Sequence, residues 1–304
     1  MTVLTKIPPS NRDRRIDGFT LIETIIVIVI VGVISVICAV FIKTGFDSYF
    51  NSVRRAEIVE VADIAVQRLA REVRLAVPNS LRVVDSSGNV GSCVTGTCFI
   101  EFVPTKSGGK YRNNGDGSTA GNFMCDGATV GATSTTFDVF GAPVYVPGDY
   151  VVVDNDANLP AGDDVYAASG NRATITSAAN NSPISISSAF GDPTVICGYA
   201  NNRFQIVDQS TQAVTYSCPI TSSTGSIKRY MNYGFNQSQQ QPSGGSMVTS
   251  LVAGNASYSA TCPNVSYMPN VQQRNGLLYF SVTVTDTSGE KVTVFRQIHV
   301  DNSP

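Results

Sequence analysis

Glu23 is a carboxylate set into a run that is otherwise apolar from Phe19 to Ile42, with no charge between Ile25 and Ile42. An ionised group in an apolar helix costs on the order of 2.5–3.5 kcal/mol on insertion scales. It therefore calls for a partner of opposite charge, or else snorkels to a water edge. Seven cysteines form the second group. Cys38 lies inside the apolar run, and Cys93, Cys98, Cys125, Cys197, Cys218 and Cys262 follow it. An even set beyond an apolar anchor argues for disulfides in an oxidising compartment. Cys93–Cys98, closing the short loop Val94-Thr95-Gly96-Thr97, is the favoured pairing, with Cys218–Cys262 the next. Zinc is the rival reading, but no two of these cysteines have the C-x-x-C spacing. Asp154, Asp156 and Asn158 put oxygen ligands at alternate positions, the way a calcium ion is wrapped. Leu159 stands where an EF-hand turn needs glycine, and Val165 where it needs a bidentate glutamate. Solvated turn residues are the preferred account of that stretch.

Other chemistries find no constellation. One histidine, His299, leaves no room for His-based metal clusters and argues against Ser–His or Cys–His catalysis. It falls on an alternating stretch and reads as a strand residue. Gly115, Gly117 and Gly121 do not lead a strand into a helix, so no phosphate loop is implied, and no G-x-S-x-G elbow occurs. Only 14% of residues are charged and the formal net charge is −2, which gives no basic surface to drive nucleic-acid binding. The composition argues against an enzyme and calls for no cofactor. Abundant Gly, Ser, Thr and Asn suit an exported β-protein.

The elements that position these groups begin at the N-terminus. Residues 1–18 are polar, with Lys6, Arg12, Arg14 and Arg15 against Asp13 and Asp17. The run that follows is long enough to cross a bilayer, which takes about 20 residues at 1.5 Å each. Basic residues ahead of it predict a cytoplasmic N-terminus and an exported remainder. No A-x-A pattern follows Ile42, and Ile37 rather than a small residue precedes Cys38, so neither a signal-peptidase nor a lipoprotein cut is expected. From Lys43 the chain turns amphipathic. Phe46, Phe50, Val53, Ile64, Ala65, Leu69, Val73 and Ala76 recur at helical spacing, and Pro78 stops the pattern. A continuous helix from Phe19 to Val77 would be about 88 Å long.

Gly18-Phe19-Thr20-Leu21-Ile22-Glu23 before such a run resembles the processing signal of type IV pilins and pseudopilins. The resemblance implies a prepilin peptidase that cuts after Gly18 and methylates Phe19, with Glu23 becoming the fifth residue of the mature chain. In a bundle of such helices Glu23 can neutralise the amine of Phe19 on a neighbour, so that two charges costly in lipid become one pair that sets subunit registration. The chain departs from many pilins at Val40, near which they carry a helix-breaking proline. Further stretches narrow the likeness: Arg68-Leu69-Ala70-Arg71-Glu72-Val73-Arg74, Val77-Pro78-Asn79-Ser80-Leu81-Arg82-Val83, Gly108-Gly109-Lys110-Tyr111-Arg112, and Gln297 to Pro304. They resemble the O-type biogenesis protein of mannose-sensitive haemagglutinin (MSHA) pili, a minor pilin. Such a likeness implies a role in priming or capping pilus assembly. The partners it implies are the prepilin peptidase, other major and minor pilins, the inner-membrane assembly platform and the membrane itself. It places the chain in the inner membrane before assembly and on the cell surface afterwards.

Beyond residue 78 short β-rich stretches recur: Leu81–Val84, Cys98–Val103, Thr135–Phe140, Tyr150–Val153, Ile184–Ser187, Arg203–Val207 and Val214–Ser217. Leu277–Asp286 and Glu290–Val300 read as a hairpin turned by Thr287-Ser288-Gly289. Ser107–Gly121 and Asn236–Ser246 read as surface loops. The expected fold is α+β: a leader (1–18), a membrane or filament-core helix (19–42), its amphipathic continuation (43–77) and a disulfide-stapled, antiparallel β-rich domain (78–304). Rivals with the same N-terminus are a J-type minor pseudopilin of a type II secretion system and a W-type minor pilin. A rival of another kind is a bitopic membrane protein whose outer domain binds a ligand, which predicts an uncleaved leader. A membrane-anchored enzyme is disfavoured by the missing constellation.

Overall fold

In the computed structural model the described residues are 18–113, 121–124, 134–155, 164–167, 171–180, 182–190, 202–238, 242, 247–272 and 275–302. Helix α1 runs Leu21–Val73. The chain divides into two compact units between Arg54 and Arg55. In the first, the helix is exposed at every described position. In the second, Ile58, Ala62, Ala65, Val66, Leu69, Ala70 and Val73 are buried. Their spacing of three and four residues makes one stripe, and the stripe is what this part of α1 buries.

The strands are β1 (Arg82–Asp85), β2 (Ser92–Cys93), β3 (Thr97–Phe102), β4 (Ser107–Tyr111), β5 (Thr136–Phe137), β6 (Val139–Phe140), β7 (Tyr150–Val153), β8 (Arg172–Thr174), β9 (Ile184–Ser185), β10 (Arg203–Val207), β11 (Val214–Pro219), β12 (Ile227–Met231), β13 (Val248–Ala253), β14 (Tyr258–Thr261), β15 (Val265–Gln272), β16 (Asn275–Asp286) and β17 (Lys291–Asp301). A first sheet has the order β1-β3-β11-β12-β13, a second β6-β4-β10-β7-β8, and a third β14-β16-β15-β2 with β17 on β16. β5 and β9 pair separately. The expected α+β class, a long N-terminal helix on an antiparallel β-rich domain with two disulfides, is the observed one.

Three apolar clusters organise the second unit. The largest joins the α1 stripe to the first and third sheets, through Ile100, Phe102, Tyr216, Leu278, Phe280 and Ile298 among others. A second fills one face of the second sheet with Phe137, Tyr145, Val151, Val153, Phe204 and Ile206. A third, Val77, Val103, Val152, Val165, Tyr166, Val207 and Ala213, lies just past the end of α1 and joins the second sheet to the rest. Burying each such large side chain contributes roughly 1.5–3 kcal/mol.

Two sequence expectations are corrected. The helix ends at Val73 and not Val77: the amides of Leu75 and Ala76 tighten onto the Glu72 and Val73 carbonyls three residues back. The Val77 N–H donates to the Val103 carbonyl at 2.7 Å and the Thr105 N–H to the Leu75 carbonyl at 2.7 Å. The chain thus leaves helical form ahead of Pro78. The expected loop at Ser107–Gly121 opens with β4, an interior strand between β6 and β10. Gly108 is a steric necessity, and Gly109 a tight fit, and neither is the sign of a turn. A Cβ on Gly108 would lie 2.7 Å from the Phe204 carbonyl oxygen, and one on Gly109 would lie 3.0 Å from the Phe204 ring. β2, β8, β12, β13, β14 and β15 fall outside the expected strand segments. The expected hairpin is present as β16–β17, its turn capped by Asp286, whose Oδ1 accepts the N–H of Ser288 at 2.8 Å and of Glu290 at 2.9 Å.

Candidate processing and assembly site

Gly18 and Phe19 precede α1 in exposed, non-helical backbone. Thr20 is the N-cap. Its Oγ1 accepts the Glu23 N–H at 3.3 Å, and its carbonyl accepts the Thr24 N–H at 3.1 Å as the first helical bond. Thr20 and Glu23 thus stand in the S/T-x-x-E spacing of a capping box. That spacing was legible in the sequence and had been read only as part of the processing string. The cap fixes where helix begins, and leaves the Gly18–Phe19 peptide bond outside it, where a peptidase can take it in extended form. Phe19 is 79% exposed. A Cβ on Gly18 would meet nothing within 4 Å. The fold of this chain does not require glycine at 18, so a need for it belongs to whatever acts on the bond.

Glu23 lies in the first turn, exposed, where a carboxylate also favours the helix dipole. After it the apolar run offers Ile25, Ile26, Ile28, Ile30, Ile34, Ile37 and Phe41 on all sides, each more than half exposed. Its best 18-residue window has a mean hydropathy of 3.5 and none of it is buried within the protein. A patch of that kind marks an interaction surface, for lipid or for other helices. Cys38 is a free thiol within it.

The other candidate residues do not gather into a site. Cys93 and Cys98 form one disulfide and Cys218 and Cys262 another. Both are buried beside the α1 stripe, in the largest cluster. Cys125 and Cys197 lie outside the described residues, as do Asp156 and Asn158. Asp154 follows β7 in a left-handed conformation, φ +49°, and is buried. Among the described residues no group of His, Cys, Asp and Glu is placed to hold a metal ion. His299 is an exposed residue of β17, opposite Leu277.

What the sequence did not disclose is a buried polar junction beside the end of α1. Glu101 of β3 is only 2% exposed and bonds both Arg82 and the Tyr233 hydroxyl, the latter at 2.8 Å. Burial pushes its carboxyl up, and Arg82 pulls it back only in part. Tyr166, buried, donates to the Ser80 carbonyl at 2.8 Å, and burial raises its hydroxyl well above the ordinary range. No signal in the sequence separated these residues from other strand polar residues. Every group here is satisfied by a neighbour, so the junction reads as a structural clasp.

The prokaryotic N-terminal methylation motif matches residues 13–39. The match spans the bond after Gly18, the cap and the head of the apolar run. The chain therefore carries a type IV pilin-like signal of the kind that prepilin peptidase processes, on a helix with the apolar surface of a membrane anchor. No curated protein and no solved structure matches the chain.

Proposed function

We propose that this protein is a minor pilin: a membrane-inserted precursor, cut after Gly18 and methylated on Phe19, that joins a type IV pilus-like filament as a structural subunit and not as an enzyme. The observation that carries the reading is the methylation motif at residues 13–39, falling where Gly18 and Phe19 are exposed ahead of a capped helix that carries no charge from Ile25 to Ile42. Once the bond is cut, the Phe19 amine and the Glu23 carboxylate lie one turn apart on the same helix end. In a bundle of such helices the Glu23 carboxylate pairs with the Phe19 amine of a neighbouring subunit, which sets the stagger of the bundle. The unpartnered apolar half of α1 becomes the filament core, and the domain from Arg55 onward, exported, faces outward. The MSHA O-type resemblance favours a subunit that primes or caps assembly, with other pilins and the inner-membrane platform as partners.

The test is the N-terminal mass of the full chain expressed with and without an active prepilin peptidase. A product that begins at Phe19 and carries one added methyl group supports the class. An intact Met1 terminus under active peptidase overturns it and favours the bitopic binding protein. Co-purification with pilus or with secretion-system subunits separates the MSHA-type reading from the J-type and W-type alternatives.

A further inference from the structure

The outer face of the second sheet carries a row of side chains that nothing in the assembly reading uses. Lys110 of β4 lies directly opposite Arg203 of β10 on one side and Phe140 of β6 on the other. The row Phe140–Lys110–Arg203 therefore crosses adjacent strands, about 4.8 Å apart from one to the next. All three residues are exposed, Phe140 by 53%. Like charges directly opposite each other destabilise a sheet. Their neighbour Arg112 is neutralised by Asp138 at 3.3 Å, and Lys106 is held by Asp149 at 2.8 Å and Asp208 at 3.0 Å. Among the described residues no carboxylate stands within ion-pair distance of Lys110 or Arg203. In a chain with a net charge of −2, this adjacent cation pair has no internal reason.

Gly108 contributes no side chain beside Lys110, and the strands beneath are fixed by Phe204, Tyr111 and Val139 on the opposite, buried face. The sheet is joined to the domain through Val77 and Val103, just past the C-terminal end of α1. A sheet face that sets one exposed aromatic residue in register with two cations that pair with no described carboxylate matches a ligand with an apolar ring face and a carboxylate. We infer that this face binds an acidic saccharide, with Lys110 and Arg203 pairing the uronate and Phe140 lying against the sugar ring. The inference rests on the surface of the domain alone and holds whether or not the chain enters a filament.

The test uses the full chain held in phosphatidylcholine nanodiscs, with alginate as the acidic saccharide, dextran as a neutral one, and polyglutamate as an acid polymer without sugar rings. The expected result at low ionic strength is binding to alginate and not to dextran, and weaker binding to polyglutamate. Lys110→Gln with Arg203→Gln, both exposed changes, should weaken alginate binding by about tenfold. Phe140→Leu should weaken it by about threefold, while Phe140→Tyr retains it. Alginate binding that these variants do not change overturns the site. Equal binding of polyglutamate, untouched by Phe140→Leu, overturns the saccharide and leaves a plain acidic-polymer surface. Lys110-dependent capture of phosphatidylglycerol vesicles in place of alginate overturns it in favour of a lipid surface.

Discussion

Arg82 and Glu101 sit directly opposite each other on β1 and β3, with Nε 2.7 Å from Oε2, and they fasten segments far apart in the chain. The same guanidinium stacks 3.6 Å above the centre of the Tyr166 ring and donates to the carbonyls of Asn236 and Gln237. Planar, forked and permanently charged, an arginine can do all of this at once and a lysine cannot. Arg82→Ala should cost about 3–5 kcal/mol, because it leaves the Glu101 charge buried without its partner. Replacing the pair together, as Arg82→Met with Glu101→Leu, should cost much less. Chemical denaturation of both variants checks the ordering, and equal losses would show that the pair acts independently of burial.

Glu23→Ala should leave cleavage after Gly18 intact and impair filament incorporation, since the peptide bond lies outside the helix and Glu23 inside it. N-terminal mass and the content of sheared filaments measure the two effects separately. Wild-type levels of the variant in filaments would remove Glu23 from subunit registration.

Thr20→Val should shift the start of the helix, because the Glu23 N–H loses its acceptor. A lost N-cap costs about 1 kcal/mol. The expected outcome is slower peptidase cleavage with no change in the thermal midpoint of the domain from Arg55 onward. Thr20→Ser should restore the wild-type rate.

The disulfides should differ in worth. Cys218–Cys262 has a sequence separation of 44 and Cys93–Cys98 one of 5. On chain-entropy grounds the first contributes about 4 kcal/mol and the second about 2 kcal/mol. Thermal unfolding of Cys218→Ala with Cys262→Ala, against Cys93→Ala with Cys98→Ala, checks the order.

Asp85 gives stability a pH dependence. Its carboxylate accepts the Asn89 side-chain amide at 2.8 Å and the backbone N–H groups of Ser87, Asn89, Val94 and Thr95. These bonds, the Asn89 amide first, hold its pKa well below the usual carboxylate range. A carboxyl depressed in the folded state stabilises it above the unfolded value of about 4, and that stability is lost as pH falls through the depressed value. The thermal midpoint should therefore drop on acidification from about pH 5, and Asp85→Asn should lower the midpoint at neutral pH and flatten the drop. A variant with the slope of the wild type would show that other carboxyls carry it.

The sequence by itself determined what depends on near neighbours along the chain. An unbroken apolar run and the Gly18–Glu23 string specify the start of α1 and its exposed half, because helical periodicity is local, whereas the buried stripe was legible only in part: of the expected face Ala65, Leu69 and Val73 are buried, but Ile64 is exposed and Ile58, Ala62, Val66 and Ala70 take its place. The β16–β17 hairpin was legible for the same reason, through alternation and a Gly289 turn. The Cys93–Cys98 closure was legible as well, since its partners are five residues apart. Tertiary structure alone decided the rest. β4 reads as a glycine-rich loop until Phe204, nearly a hundred residues on, occupies the space its side chains would fill. Past Val73 the chain winds through one last local turn, and the first amide to leave it, that of Val77, is taken by the Val103 carbonyl of a distant strand end. Asn79 is held by Asn302, whose Oδ1 accepts its N–H at 3.3 Å and whose carbonyl accepts its Nδ2 at 3.0 Å. The Lys110–Arg203 pair is likewise a product of register between strands distant in the chain. Local spacing encodes which backbone a segment favours. Which side chains meet depends on how those segments close on one another, and no local pattern records that.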